Sequence, residues 1–176
     1  MAMSAHIQRL RAALGPELLV LPSVTGIIFD DENRILFVRQ TESGLWSTPG
    51  GAIDPEEIPA DAVVREVWEE TGLYAKPVRL LGVHGGPTCL VRYPNGDRTI
   101  YVIAVFECAV LSGALHARSD ETNAAAFVSA SELSAYRTSD WVRHIIPAFY
   151  DRSRAAYFEA PTWQPPLTPA PRYQGR

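Results

Sequence analysis

The sequence predicts an α/β sandwich containing mixed β-sheets, and three observations predict it. Short β-branched and aromatic runs separated by turn residues fill most of the chain. One strongly periodic helix interrupts them between Pro59 and Thr71, and a second helix comes late, after the last strand. Strands around a central helix and a late one suit packed mixed sheets better than a doubly wound parallel fold. At 176 residues, 47% hydrophobic and 10% aromatic, one domain with an ordinary packed core is expected.

The elements follow in order. Residues 4–14 place Ile7, Leu10, Ala13 and Leu14 at helical spacing, and Gly15-Pro16 ends the helix. Residues 1–17 thus read as an N-terminal helix and linker, an embellishment on a main domain of residues 18–150. Leu18–Leu21 and Val24–Asp30, then Arg34–Gln40 beyond the polar turn Asp30-Asp31-Glu32-Asn33, read as a strand pair. A Gly-rich loop spans Ser47–Ala52, and the following helix has Pro59 in its first turn and Gly72 as its stop. Val78–Val83, Cys89–Tyr93 and Thr99–Val110 are strand-like, the last two flanking Pro94-Asn95-Gly96-Asp97, where Asn-Gly favours a tight hairpin. Ala124–Val128 is a further short strand, and Asp140–Tyr150 a helix with Trp141, Ile145, Ile146 and Phe149 on one side. Residues 151–176 form a tail, proline-rich from Pro161 onward, which reads as an extended arm or a disordered segment.

Charge narrows the partners. A net charge of −4 lacks the basic face that gathers extended nucleic acid or a membrane surface, so any phosphate must be met locally. The apolar run Tyr101–Leu111 is too short for a membrane span and is broken by Glu107. Cys89 and Cys108 lie in apolar stretches without zinc spacing or disulfide density, so they read as buried thiols of a reducing compartment. The first residues lack the apolar core of a signal peptide, and a cytoplasmic location is the expectation.

The chemistry concentrates in GGAIDPEEIPADAVVREVWEETGL, Gly50 to Leu73. On a helical wheel Ala60, Val63, Val64, Val67 and Trp68 form the expected buried stripe, with Glu66, Glu69 and Glu70 gathered on the other side. Like charges at these spacings cost a helix a few tenths of a kcal/mol each, roughly. A solvated acidic face is one account of the cluster; a hard divalent cation on oxygen ligands is the other.

This stretch resembles the signature of the Nudix hydrolases at every fixed position: Gly51, Glu57, Arg65, Glu66, Val67, Glu69, Glu70, Gly72 and Leu73. Trp46-Ser47-Thr48-Pro49-Gly50 is also close to the family's usual preceding loop. The resemblance implies a Nudix fold, a mixed β-sheet between helices whose loop–helix–loop holds divalent metal, Mg²⁺ or Mn²⁺. It implies Glu66, Glu69 and Glu70 as metal-binding carboxylates, the carbonyl of Gly50 as a further ligand, and Glu57 and Arg65 as a brace between loop and helix. Direct phosphate contact is the alternative for Arg65. The implied reaction is hydrolysis of the pyrophosphate link in a nucleoside diphosphate joined to another moiety, such as a nucleoside triphosphate, ADP-ribose, a nucleotide sugar or a dinucleoside polyphosphate. Metal-activated water is the nucleophile, and a carboxylate takes its proton. Glu66 is one candidate base; Glu121, before the Ala124–Val128 strand, is the other and a candidate metal ligand, with Asp120 as fallback.

Other residues carry two readings each. Arg39 meets a phosphate or makes a surface ion pair, and His84 contacts substrate or is structural. Trp46 and Tyr93 stack on a base or belong to the core. Gly85-Gly86 reads as a flexible loop, since no helix starts after it. A catalytically silent nucleotide-binding or regulatory module is the alternative function, disfavoured because such a module has no need of three mutually repelling glutamates. An isoprenoid diphosphate isomerase shares the fold but needs a cysteine for which neither Cys89 nor Cys108 is assignable. Pairing into a homodimer, with the proline-rich tail and Trp163 as an exchanged arm, is a further expectation.

Overall fold

The computed structural model describes residues 4–93, 95–116 and 121–161. Helix α1 (Ala5–Leu14) starts where the Ser4 hydroxyl accepts from the Ile7 N–H. Its Ile7 packs on Leu19 and Leu21. Arg11 donates to the Glu17 and Arg98 carbonyls and to the Thr99 hydroxyl and pairs with Asp97 at 3.3 Å, so the helix is tied to the main body.

Two sheets follow. The larger runs β4 (Gly50–Ala52), β1 (Leu19–Ile27), β7 (Arg98–Gly113), β5 (Leu73–His84), with β6 (Leu90–Arg92) also on β7. The smaller runs β3 (Trp46–Ser47), β2 (Ile35–Gln40), β8 (Thr122–Val128). In it β1 and β7 pair in parallel and the β1–β4, β5–β7 and β6–β7 ladders are antiparallel, so the larger sheet is mixed as expected. Ile27, Ile35, Phe37, Ile103, Val105 and Val128 meet between the sheets, closed at one end by α3 (Asp140–Ile145) through Val142 and Ile145. Helix α2 (Pro59–Thr71) packs Ala62, Val63 and Val67 on Val24, Ile28, Leu36, Ala75 and Cys108, a second core.

Several expectations are corrected. Leu18–Leu21 and Val24–Asp30 are one strand, because the parallel register with β7 continues unbroken from Leu19–Thr99 to Ile27–Glu107. That strand and β2 are not a ladder pair: a single bridge, Phe29–Ile35, joins them before they diverge into different sheets. Local patterning sees the turn, in which Asp30 accepts from the N–H groups of Glu32 and Arg34, but not the long-range partners that win. β5 extends well beyond Val78–Val83, crossing Pro77 at a register shift against β7 where the missing N–H is tolerated. Pro87–Cys89 is a 3₁₀ turn, so the strand begins at Leu90. The late helix turns 3₁₀ over Ile146–Tyr150, where Pro147 cannot donate to an α-helical ladder.

Among the described residues no helix is long and apolar enough to cross a membrane. Residues 151–161 keep contact with the body. The Tyr157 N–H donates to the Leu81 carbonyl at 2.7 Å, and Arg152 reaches Glu107 at 2.7 Å. Trp163 and the proline-rich arm, like Asp120, lie outside the described residues.

Candidate active site

α2 occupies the predicted bounds, with Pro59 in the first turn and Gly72 as a left-handed cap at φ 70° whose N–H returns to the Trp68 carbonyl at 2.9 Å. The buried face differs from the wheel. Trp68 is 53% exposed, whereas Glu66 and Glu70 are buried beside Val63 and Val67. The acids facing inward are thus part of the packed face, and only Glu69 remains at the surface. A helical wheel places hydrophobes inward by default; here Gly50 and Gly51 of β4 come down on the carboxylates instead.

Arg65 braces this surface. Its guanidinium donates in a fork to both carboxylate oxygens of Glu57, at 2.6 and 2.9 Å, and to Glu66, Glu69 and the Ala52 carbonyl. The Arg65 bond holds the Glu57 carboxyl below the usual glutamate range. These bonds link Glu57, on the approach to the helix, with Arg65 on the helix itself.

Glu66 lies directly under β4. A Cβ on Gly51 would stand 2.4 Å from the Glu66 carboxylate, so only glycine lets backbone and carboxylate approach this closely. Glu70 accepts from the Gly50 N–H and from Gln40 Nε2, each at 2.9 Å. Burial pushes Glu66 up to about 7, against the pull of Arg65, with the charges of Glu69 and Glu121 adding to the rise. Burial likewise pushes Glu70 up to about 8, against the Gln40 and Gly50 bonds, with Glu66 and Glu121 adding. Glu121, just before β8, thus shares one electrostatic neighbourhood with the box glutamates, and its carbonyl accepts from the Thr41 N–H.

Among the described residues, no three His, Cys, Asp or Glu side chains are gathered to enclose an ion as they stand. Arg65 holds Glu66 and Glu69 meanwhile. The donor set still fits a hard divalent cation. It offers hard oxygen donors, and Glu66 and Glu70 are buried groups whose ionised form is disfavoured without added positive charge.

A stability prediction follows for protein in EDTA. With both pKa values raised, the folded state binds more protons than the unfolded state, so stability falls as pH rises through the folded values. His84, lowered by burial, acts oppositely but only below its ordinary 6.5. Between pH 6.5 and 8 the glutamates therefore dominate, and the loss is on the order of 2 kcal/mol, about 4–8 °C in melting temperature. Thermal melts should show this fall, and added Mg²⁺ or Mn²⁺ should reverse it; a flat or rising profile in EDTA would contradict it.

Beside Gly50 and Gly51 of β4 opens a cleft of about 280 Å³. Trp46, Tyr93, Tyr101 and Trp141 supply aromatic walls, with Gln40, Glu42, Thr48 and Arg92 among the polar groups. Trp46 is held edge-on by Tyr136, and the hydroxyls of Tyr93 and Tyr101 meet at 2.7 Å. Tyr101, Trp141 and Gln40 were not singled out in the sequence, where aromatics in a strand or helix look like core. Two candidates are not brought here. His84 is 4% exposed, packed against Phe149 and Tyr157 without a hydrogen-bond partner on either ring nitrogen. Arg39 donates to Asn123 at 2.6 Å and does not line the cleft.

Comparison with known proteins shows the family. The NUDIX domain family matches residues 20–149. A MutT-like protein of Streptomyces ambofaciens is 36% identical over 112 residues, 64% of this chain and 66% of the relative. An ADP-ribose pyrophosphatase of Methanocaldococcus jannaschii is 38% identical over 108 residues, 60% of each chain. The chain thus spans less than two thirds of the length of these curated relatives. Among solved structures, the MutT protein of Methanosarcina mazei Go1 superimposes with a TM-score of 0.61 at 25% identity, over 78% of this chain and 96% of that one.

Proposed function

This chain belongs to the Nudix family, and from that premise we propose that it hydrolyses the pyrophosphate link of a nucleoside diphosphate joined to another moiety. The observation that carries the reading is a pair of buried carboxylates, Glu66 and Glu70, packed against Gly50 and Gly51, which themselves line an aromatic cleft. The cleft takes the nucleoside, whose base is suited to the faces of Trp46, Tyr93 and Trp141. ADP-ribose and other nucleotide-linked diphosphates are candidate substrates, in keeping with the name of the M. jannaschii relative.

Glu66, Glu69, Glu70 and Glu121, with the Gly50 carbonyl, would hold the Mg²⁺ or Mn²⁺. When bound, a divalent cation offsets the negative charge that repels a nucleophile from the diphosphate and lowers the pKa of water. The protein's own residues do the rest. Arg65 and Glu57 fix the loop against α2, keeping Gly50 and Gly51 at the distances at which Glu66 and Glu70 meet them. Glu121, on the chain entering β8, takes the proton of the attacking water. Replacing it by Gln should then slow turnover at least about a hundredfold with little change in melting temperature. A much smaller loss would return the proton to Glu66.

The reading is tested by phosphate release, with a coupled phosphatase, from nucleoside triphosphates, nucleotide sugars, ADP-ribose and dinucleoside polyphosphates. Turnover of one class with Mg²⁺ or Mn²⁺ and none in EDTA is expected. Silence across the panel combined with measurable nucleotide binding would point to the non-catalytic module instead.

A further inference from the structure

Gln40 stands outside the signature segment yet makes a side-chain hydrogen bond to the Glu70 carboxylate. It closes β2 and is pinned by its own backbone: its N–H donates to the Leu45 carbonyl and its carbonyl accepts from the Gly44 N–H, both at 2.9 Å. The side chain then does two things at once. It forms part of the cleft wall, and its Nε2 donates to Oε1 of Glu70 at 2.9 Å. Oε2 of the same carboxylate accepts from the Gly50 N–H.

A glutamate's terminal torsion is broad, so a buried carboxylate keeps one orientation only if donors hold it. With one donor on each oxygen, Glu70 is fixed in rotation while each oxygen retains accepting capacity for something else. Gly50 begins β4 of the larger sheet and Gln40 ends β2 of the smaller one, so the carboxylate is clamped from two sides. We infer that Gln40 is a positioning residue that orients Glu70 toward a divalent cation and, being part of the cleft wall, couples ligand seating to that orientation. The inference rests on the reading of Glu70 as a metal-binding carboxylate.

The test is Mn²⁺ binding to the full chain, followed by the paramagnetic signal of free Mn²⁺, in wild type, Gln40→Met, Glu70→Gln and the double variant. Methionine keeps the length and bulk of glutamine but not the donor; Gln40→Asn, too short to reach, serves if Met unfolds the protein. Gln40→Met should weaken Mn²⁺ binding about tenfold or more, in the range seen when a group orienting a metal ligand is removed. On the Glu70→Gln background the same change should cost less than about twofold, because the carboxylate it orients is gone. Unchanged Mn²⁺ affinity in Gln40→Met, or only a higher KM with kcat intact, would overturn the positioning role and leave Gln40 a cleft wall. An undiminished tenfold loss on the Glu70→Gln background would overturn it equally. Failure of the wild type itself to bind Mn²⁺ would instead overturn the metal reading beneath it.

Discussion

Replacing Glu70 by Gln is expected to reduce metal-dependent turnover more than about a thousandfold, the scale of losing several kcal/mol of metal-assisted stabilisation. The fold should survive. Glu70 is fully buried and holds two donors, the Gly50 N–H and Gln40 Nε2. A glutamine at 70 can keep its carbonyl toward Gly50, whose backbone cannot turn, and offer its amide to Gln40, whose own amide can flip to accept. The substitution also removes a buried acid whose ionised form burial disfavours. Melting temperature in EDTA at pH 8 should therefore be unchanged or higher, while turnover in Mg²⁺ is lost. Undiminished turnover would remove Glu70 from the metal assignment.

Replacing Arg65 by Met is expected to have the second largest effect, on stability as well as rate. It would leave Glu57, Glu66 and Glu69 without their shared cation and open the link between loop and helix. Removing one partner of a buried ion pair costs about 3–5 kcal/mol; with the Arg65 side chain 30% exposed, about 2–3 kcal/mol is reasonable. That is a drop of roughly 4–12 °C in melting temperature. Arg65→Lys should recover only part of it, since an ammonium cannot form the two parallel bonds to Glu57. If Arg65 instead served chiefly as a phosphate contact, the melting temperature would hold and KM alone would rise.

What could be read in advance divides by range of interaction. The bounds of α2 were legible because Pro59 and Gly72 act through local backbone geometry, and the hairpin between β6 and β7 because Asn95-Gly96 does the same. The partners of β1 were not, since its ladders with β7 lie about eighty residues away and no local pattern encodes them. The same division runs through the site. Glu57, Arg65 and Glu66 sit within one helical segment and its approach, and their spacing alone places them together. The inward turn of Glu66 and Glu70 was hidden, because burial of a carboxylate depends on what packs over it, here Gly50 and Gly51. Gln40 gave no signal at all: one polar residue at a strand end is ordinary until the sheet carrying it is laid against α2. His84 invited a functional reading because the sequence does not tell that Phe149 and Tyr157 enclose it.

The central claim is that water, activated at the carboxylates of α2, attacks a nucleoside diphosphate derivative. Its most direct test is turnover of the best substrate of the panel in heavy-oxygen water, with the products weighed by mass spectrometry in Mg²⁺ and in EDTA. One heavy oxygen in a single phosphate product, with Mg²⁺ only, is the predicted result. Product formed without the label, or labelled equally in EDTA, would contradict the account.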